Sequence, residues 1–251
     1  MAGWPTALTV AGSDSSGGAG IQADLRAFAA FGVWGAAAVT AITAQNHGGV
    51  LAARLVDPDL VAAQIEAVAG AGVVGAVKTG MLGDASVVEA VGAALERTGL
   101  RPLVVDPVQT ASRGGQLLAP AARPVLVERL LPMCRLLTPN LPEAEALLGV
   151  TIAAREDMPG AAEALAGLGP QAVLLKGGHL SGPDSPDLLW QAGGITWLDG
   201  PRLPVRHSHG TGCTLSAAVA AGLARGDGLV DACRQAKAYV ALALEALVRT
   251  K

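Results

Sequence analysis

A glycine-rich stretch near the carboxyl end of the chain holds residue types that could do chemistry. It reads His207-Ser208-His209-Gly210-Thr211-Gly212-Cys213-Thr214 and runs directly into the apolar residues 215–224. Glycine allows a tight turn whose backbone N–H groups converge on one point, and the Ala- and Leu-rich run that follows predicts a helix. Because the N-terminal end of a helix attracts negative charge, the stretch predicts an anion-binding turn at Gly210, Thr211 and Gly212.

Cys213 falls in the first turn of that predicted helix. A helix N-terminus lowers the pKa of a thiol from its ordinary value of about 8.5, so we expect a partly ionised side chain that could act as a base or a nucleophile. The alternative is a small cysteine that only packs against the core, and this stretch alone supports both interpretations equally.

Polar and glycine residues also follow a series of short apolar runs, each at the point where a run ends. They are Gly12, Gln45, Lys78, Asp106, Asn140 and Lys176. In open α/β sheets, ligands bind beyond the carboxyl ends of the strands. The sequence therefore predicts one site to which all six positions contribute.

Two acids at or near these positions could hold a metal ion. Asp106 and Glu143 lie near the ends of two successive predicted strands, and Mg²⁺ is bound by one or two carboxylates together with phosphates and water. Each position also has a simpler explanation. Asp106 before Pro107 could form a turn, Asn140 could cap a helix, and Glu143 would be favoured by the dipole in a first helical turn.

Lys176 is the candidate phosphate-binding cation. It ends an apolar run and precedes Gly177 and Gly178, which leave room for a phosphate to approach, although a solvated surface lysine would show the same pattern. Lys78 is the weaker candidate for this role. A lysine, paired acids and an anion-binding turn together favour phosphoryl transfer. The four histidines show no metal-ligand spacing, so we expect them to form hydrogen bonds in loops: His47, His179, His207 and His209.

Apolar runs and helix-forming stretches alternate along the chain. Strands are predicted at residues 6–11, 36–43, 75–78, 103–105, 135–138 and 172–175, and a β-hairpin at 188–191 and 195–198. Helices are predicted up to residue 31 and at 59–69, 85–97 (capped by Asp84), 142–148, 157–168, 213–225 and 229–249. This order predicts an α/β fold, a mostly parallel sheet with helices on both faces, in one domain over residues 1–251.

Composition narrows the class of protein. The net charge is −3 and no Lys/Arg cluster occurs, so a nucleic-acid partner is not expected. The three widely spaced cysteines indicate neither a disulfide framework nor a zinc site, which fits a cytoplasmic protein. Residues 27–44 are uncharged, but a helix end, two glycines and a strand explain them better than a membrane span does. We expect no signal peptide and no membrane partner.

The motifs as a set resemble the ribokinase-like superfamily and, within it, the hydroxymethylpyrimidine/phosphomethylpyrimidine kinases of thiamine biosynthesis. The resemblance rests on residues 11–24, 43–46, 80–82, 105–108, 138–144, 175–179 and 209–217, which follow the order found in that family. It implies a three-layer α/β/α sandwich, ATP and Mg²⁺ with a possible monovalent cation, and a homodimer. The implied reaction is phosphorylation of 4-amino-5-hydroxymethyl-2-methylpyrimidine and then of its monophosphate to the diphosphate.

The resemblance also implies roles for individual residues. Substrate-binding positions would be Gln45, Gly12, Asp24, Met81 and Val108, and the metal would be held around Asp106, Asn140 and Glu143. Lys176 would contact the ATP phosphates, and Gly210, Thr211 and Gly212 would form the anion hole. Cys213 stands where most members of the superfamily have an aspartate base. Gln109 replaces the usual Met, and residues 112–115 depart from the pattern of the family.

Three other functions are compatible with parts of this pattern. Pyridoxal kinases share the superfamily and, in some branches, the cysteine. A thiol hydrolase could pair Cys213 with His209, but it would leave the lysine and the acids unused. A sensor of nucleotides or pyrimidines would bind ligand without releasing ADP.

Overall fold

The computed structural model describes residues 3–46, 48–111, 114–204 and 209–249. His47, Ser112, Arg113, His207 and Ser208 lie outside the described residues, so the expectations for them stay expectations.

The main sheet has eight strands in the order β10-β9-β8-β7-β6-β5-β1-β2. Six neighbouring strands, from β8 to β2 in that order, are parallel, and β9 is antiparallel to both β8 and β10. Their bounds are β1 Thr6–Ala11, β2 Trp34–Val39, β5 Ala76–Thr79, β6 Leu103–Val105, β7 Leu136–Leu137, β8 Ala172–Lys176, β9 Asp187–Gln191 and β10 Gly194–Leu198. A separate two-stranded sheet pairs β3 Ala41–Asn46 with β4 Gly49–Leu55.

Helices cover both faces of the main sheet. They are α1 Gly20–Ala30, α2 Pro58–Ala71, α3 Ala85–Thr98, α4 Ala122–Arg129, α5 Leu141–Leu148, α6 Met158–Ala166, α7 Thr211–Ala224 and α8 Leu229–Arg249. The apolar core forms two layers: one packs α2 to α6 on the sheet and the other packs α1, α7 and α8. Alternate strand residues enter opposite layers, as Leu103 and Val104 do, because successive side chains in a strand point to opposite faces. The predicted three-layer α/β/α sandwich is confirmed.

The largest difference from the predicted elements follows the first helix. The strand predicted at residues 36–43 is two strands, β2 and β3, separated at Thr40. The Thr40 hydroxyl donates to the Met81 carbonyl at 2.6 Å, and the chain leaves the main sheet there. The continuous apolar run hides this break. Strand β4 was not predicted, since most of its side chains are exposed and it lacks an apolar face. Helix α4 was not predicted either.

The other predicted elements are confirmed within a few residues at their ends. The Asp84 side chain caps α3 as expected, accepting from the backbone N–H of Val87 at 3.0 Å. Cys134, Cys213 and Cys233 are free thiols. In the described part of the chain, no helix combines the length and the apolar character needed to cross a membrane.

Candidate active site

The glycine-rich turn before α7 has the backbone geometry that the sequence predicts. Gly210 is the N-cap and has a φ of +80°, a left-handed conformation that favours glycine. A Cβ at this position would lie 1.9 Å from the carbonyl oxygen of Gly18, so only glycine fits. The first turn of a helix leaves backbone N–H groups without intrahelical acceptors, and the 14-residue α7 adds its dipole at the same end. This end of α7 can therefore bind an anion.

Lys176 stands between that turn and two carboxylates. Its Nζ lies 3.0 Å from Asp106 Oδ1 and 4.0 Å from Glu143 Oε2, and it would lie 3.3 Å from a Cβ built on Gly212. Burial acts to lower the pKa of Lys176, but the two carboxylates outweigh burial and hold the pKa above its ordinary value. The ammonium group is thus a fixed positive charge at the start of α7.

The Asp106 carboxylate is buried and accepts hydrogen bonds at both of its oxygens. Its Oδ1 accepts from Lys176 and from the Thr138 hydroxyl at 3.3 Å, and its Oδ2 accepts from the Ser216 hydroxyl at 3.1 Å. Burial alone would raise the pKa of Asp106, but the nearby ammonium of Lys176 and these hydrogen bonds lower it. Sequence reasoning did not select Thr138 or Ser216; both lie inside motifs whose polar members it did select.

Glu143 and Asn140 begin α5 as a capping box. Asn140 Oδ1 accepts from the backbone N–H of Glu143 at 2.9 Å, and Glu143 Oε2 accepts from the backbone N–H of Asn140 at 2.8 Å. Burial and the neighbouring Asp106 raise the pKa of Glu143 to about 7, although Lys176 opposes the shift. The cap interpretation of Asn140 is therefore confirmed, and its amide oxygen is engaged in the cap.

The carboxylates of Asp106 and Glu143 fit Mg²⁺, an ion that proteins usually bind through only one or two carboxylates. Among the described residues, no group of three or more His, Cys, Asp or Glu side chains could enclose a metal ion. Asp106 and Glu143 both face Lys176. Two carboxylates beside a phosphate site match an ion that completes its coordination with water and phosphate oxygens.

The Cys213 thiol differs from the sequence prediction. Burial raises its pKa to about 11, and the carboxylates of Asp106 and Asp24 add to the increase, while the ammonium of Lys78 opposes it. The expectation of a partly ionised thiol near neutral pH is therefore wrong for the ligand-free protein. The free-energy cost of removing the charged thiolate from water exceeds the electrostatic stabilisation that the N-terminus of α7 and the ammonium of Lys78 give it.

Lys78 and Asp24 form an ion pair inside the protein. The Lys78 Nζ lies 2.8 and 3.0 Å from the two Asp24 carboxylate oxygens, and both side chains are 0 % exposed. The Thr9 hydroxyl also donates to Asp24 at 2.6 Å. Lys78 therefore does not reach a phosphate site. The structure likewise does not bring the carboxylate of Asp24, expected to bind substrate, to an accessible surface.

Of the remaining residues expected at the substrate, Gly12, Gln45 and Met81 lie around the β1–α1 loop, and Val108 lies in the loop after β6. Gly12 and Met81 are adjacent, since a Cβ on Gly12 would lie 2.9 Å from the Met81 sulfur. Gln45 is held by the loop, because its backbone N–H and carbonyl both bond to the Ser15 hydroxyl at 2.8 and 2.7 Å. Val108 is half-buried and lies two residues after Asp106.

Gln109 is directed away from this region. Its amide oxygen accepts from Arg123 at 3.0 Å, and its amide nitrogen lies 3.4 Å from the Glu143 carbonyl oxygen. This side chain therefore ties the loop after β6 to α4 and α5. Arg123, on the helix that was not predicted, is what makes a polar residue tolerable at this buried position.

A mostly parallel sheet with helices on both faces carries a lysine, two carboxylates and a helix N-terminus at the carboxyl ends of its strands. These features define a kinase of the ribokinase-like α/β class. Residues 14–251 match the family model described as "Phosphomethylpyrimidine kinase". The chain belongs to that family.

Individual relatives agree with this assignment. The chain is 49% identical over 244 residues to a hydroxymethylpyrimidine/phosphomethylpyrimidine kinase of Rhizobium meliloti, covering 97% of this chain and 91% of that one. A solved phosphomethylpyrimidine kinase from Clostridium difficile has a TM-score of 0.85 at 39% identity, covering 95% and 99% of the two chains. A pyridoxal kinase from Staphylococcus aureus, solved with pyridoxal, has a TM-score of 0.88 at 34% identity over 96% and 88%. The fold is thus shared by both activities, whereas sequence identity favours the pyrimidine kinases.

Proposed function

We propose that this kinase transfers the γ-phosphoryl group of ATP to the hydroxymethyl oxygen of 4-amino-5-hydroxymethyl-2-methylpyrimidine, and then a second phosphoryl group to the monophosphate, in thiamine biosynthesis. The observation that carries the proposal is the position of Lys176. Its ammonium faces the glycine turn at the start of α7 on one side and Asp106 and Glu143 on the other. A phosphate placed there would meet a fixed cation, a helix N-terminus and a metal-holding edge at once.

In the transfer, the hydroxyl oxygen bonds to the γ-phosphorus while the bond from that phosphorus to the bridging oxygen of ADP breaks. Phosphoryl transfer depends chiefly on positioning and on stabilising charge at the phosphoryl oxygens. Lys176 and the turn at Gly210, Thr211 and Gly212 would provide this stabilisation without rearrangement, because both are fixed before substrate binds. Mg²⁺, held by Asp106 and Glu143, would neutralise further charge on the phosphates when bound.

The proton of the hydroxyl group would pass to Cys213 late in the reaction. Because the Cys213 thiol, with a pKa of about 11, is protonated in the ligand-free protein, it would first release its own proton to water, and the resulting thiolate would then accept the proton of the hydroxyl group. In a loose transition state the hydroxyl proton leaves late, so this base is less important than the charge clamp. Glu143, whose pKa is about 7, would release its proton when a cation binds beside it.

The pyrimidine would occupy the region beside the β1–α1 loop, near Gly12, Gln45, Met81 and Val108. The Gln45 amide carries an NH2 group that donates and a carbonyl oxygen that accepts, and these match the ring nitrogen and the amino group of an aminopyrimidine. Asp24 would support this region through Lys78 rather than by direct contact. We also propose that the protein acts in the cytoplasm as a homodimer, since Ile42 and Leu51 on the separate sheet are 64% and 76% exposed.

A coupled assay of ADP release tests the proposal with three acceptors: the hydroxymethylpyrimidine, its monophosphate and pyridoxine. We expect both pyrimidines to be phosphorylated, with kcat/KM for the hydroxymethylpyrimidine at least tenfold above that for pyridoxine. Lys176→Ala should abolish most of the activity, whereas Arg97→Ala, which removes an exposed ion pair with Glu66, should not. A preference for pyridoxine would instead support the alternative that this chain is a pyridoxal kinase, as the Staphylococcus aureus relative is.

A further inference from the structure

His209 lies between two groups that place opposite demands on one ring nitrogen. Its Nε2 is 3.0 Å from Asp14 Oδ2 and 2.9 Å from Gln45 Nε2. A carboxylate oxygen only accepts, so the contact with Asp14 requires a proton on Nε2. An amide nitrogen only donates, so the contact with Gln45 requires a lone pair on the same atom. One nitrogen cannot meet both demands at the same time.

The surroundings leave little freedom to the ring or to the carboxylate. The ring packs on Gly18, where a Cβ would lie 2.7 Å from His209 Cδ2. Asp14 Oδ2 also accepts from the backbone N–H of Ala19 at 2.8 Å, and Asp14 Oδ1 accepts from the backbone N–H of Ser16 at 2.9 Å. The Asp14 side chain is 3% exposed and that of His209 is 18% exposed. Both groups are therefore held where they are.

The remaining freedom is the rotation of the terminal amide of Gln45. Its backbone is fixed by the Ser15 hydroxyl, but a half-turn of the amide exchanges its oxygen and nitrogen without moving any other atom. If Asp14 keeps the proton on Nε2, the resulting N–H favours the amide oxygen of Gln45 as its neighbour. The position of one proton thus determines which edge Gln45 presents to a ligand.

We propose that the Asp14–His209 pair fixes the orientation of the Gln45 amide and thereby selects a pyrimidine with a 4-amino group over one with a 4-oxo group. In the 4-amino ring the exocyclic amino group donates and the adjacent ring nitrogen accepts, whereas in the 4-oxo ring the exocyclic oxygen accepts and the adjacent ring N–H donates. An amide that rotates freely could bind both rings, but an amide in one fixed orientation pairs with only one of them. This inference rests on the proposed function, in which Gln45 binds the pyrimidine. His209 is then a positioning residue that determines specificity.

The test compares the hydroxymethylpyrimidine with its 4-oxo analogue, by kcat/KM and by calorimetric Kd, in wild type and in His209→Phe. We expect the preference for the amino compound to fall at least tenfold in His209→Phe, with KM for ATP unchanged. His209→Gln can place an N–H group near the position of Nε2 and should keep the preference within about threefold, whereas the shorter His209→Asn should not. A merely structural role would lower binding of both pyrimidines equally and leave the preference unchanged.

Gln45→Leu separates the two ways of failing. If KM for the hydroxymethylpyrimidine is unchanged in Gln45→Leu, the proposed substrate site is wrong, and this inference with it. If Gln45→Leu raises that KM but His209→Phe keeps the wild-type preference, only the role of the Asp14–His209 pair is overturned. Should His209→Phe not fold, equal preferences in His209→Gln and His209→Asn would overturn it as well.

Discussion

Replacing Glu143 by glutamine should make the protein more stable while reducing its activity. The side chain is buried beside Asp106, and burial with this neighbouring charge raises the pKa of Glu143 from 4.5 to about 7, against the opposing effect of Lys176. Above pH 7 the folded protein therefore carries a buried carboxylate, which the unfolded chain exposes to water at no cost. Glutamine has the same shape and can still accept from the backbone N–H of Asn140, so the capping box should survive.

The sign follows from proton binding. Between pH 4.5 and 7 the folded state holds more protons at Glu143 than the unfolded state does, so the free energy of unfolding falls as pH rises through this window. Below pH 4.5 Glu143 is protonated in both the folded and the unfolded state, so the raised pKa does not lower the free energy of unfolding. Above pH 7 Glu143 is ionised in both states, and the full destabilisation from its buried charge is present. The shift from 4.5 to about 7 spans about 2.5 pKa units, and one unit corresponds to about 1.4 kcal/mol, so the cost above pH 7 is at most about 3–4 kcal/mol.

The assay is urea unfolding of wild type and Glu143→Gln at about pH 5 and pH 8, together with kcat at saturating Mg²⁺. We expect Glu143→Gln to be more stable than wild type at pH 8, by up to about 3–4 kcal/mol, and nearly equal at pH 5. Its kcat should fall by roughly 100-fold, because a neutral amide holds a metal ion poorly. Glu163→Gln, at an exposed position, is the matched control. A stability difference independent of pH, or a destabilised Glu143→Gln at pH 8, would refute the reasoning.

Four further predictions concern the same site. Gln45→Leu should raise KM for the hydroxymethylpyrimidine at least tenfold and leave KM for ATP unchanged, since each unpaired buried group costs roughly 1–3 kcal/mol. Lys176→Ala should reduce kcat by about 100-fold or more, because its charge acts on the transferred phosphoryl group. Cys213 should react slowly with iodoacetamide at neutral pH and about tenfold faster for each pH unit up to about pH 11; Cys213→Ala should reduce kcat about 100-fold, and Cys213→Asp should recover part of that loss. Lys78→Met should destabilise the protein by roughly 3–5 kcal/mol because it leaves Asp24 buried without a partner, and adding Asp24→Leu should restore most of the stability.

Each of these predictions has a result that contradicts it. An unchanged pyrimidine KM would remove Gln45 from the substrate site, and a near-wild-type kcat would remove Lys176 from the phosphate site. Alkylation of Cys213 that is fast and independent of pH near neutrality would show an ionised thiol. A double variant no more stable than Lys78→Met would mean that the charge of Asp24 is not the source of the cost.

The sequence by itself determines most of the secondary structure and the edge of the sheet at which the site lies. Alternating apolar runs and helix formers predict the α/β sandwich, because strands and helices bury their side chains with different periods. Residues such as Lys176 and Asp106 were found because each ends a buried strand, and parallel strands bring their carboxyl ends to one edge. The glycine turn before α7 was predicted because its glycines allow a tight turn directly before a helix-forming run.

Only the tertiary structure decides the charge states and the partners of the site residues, because these depend on residues far away in the chain. Whether Lys78 reaches a phosphate depends on Asp24, which lies 54 residues away in the chain and neutralises it inside the core. The ionisation of Cys213 depends on how completely the fold removes its thiol from water, and desolvation outweighs the helix end that the sequence reveals. His209 meets Asp14 only because α7 packs against the β1–α1 loop, across 195 residues. Spacing along the chain predicts which residues share an edge, but burial and the neighbours that packing supplies set their charges.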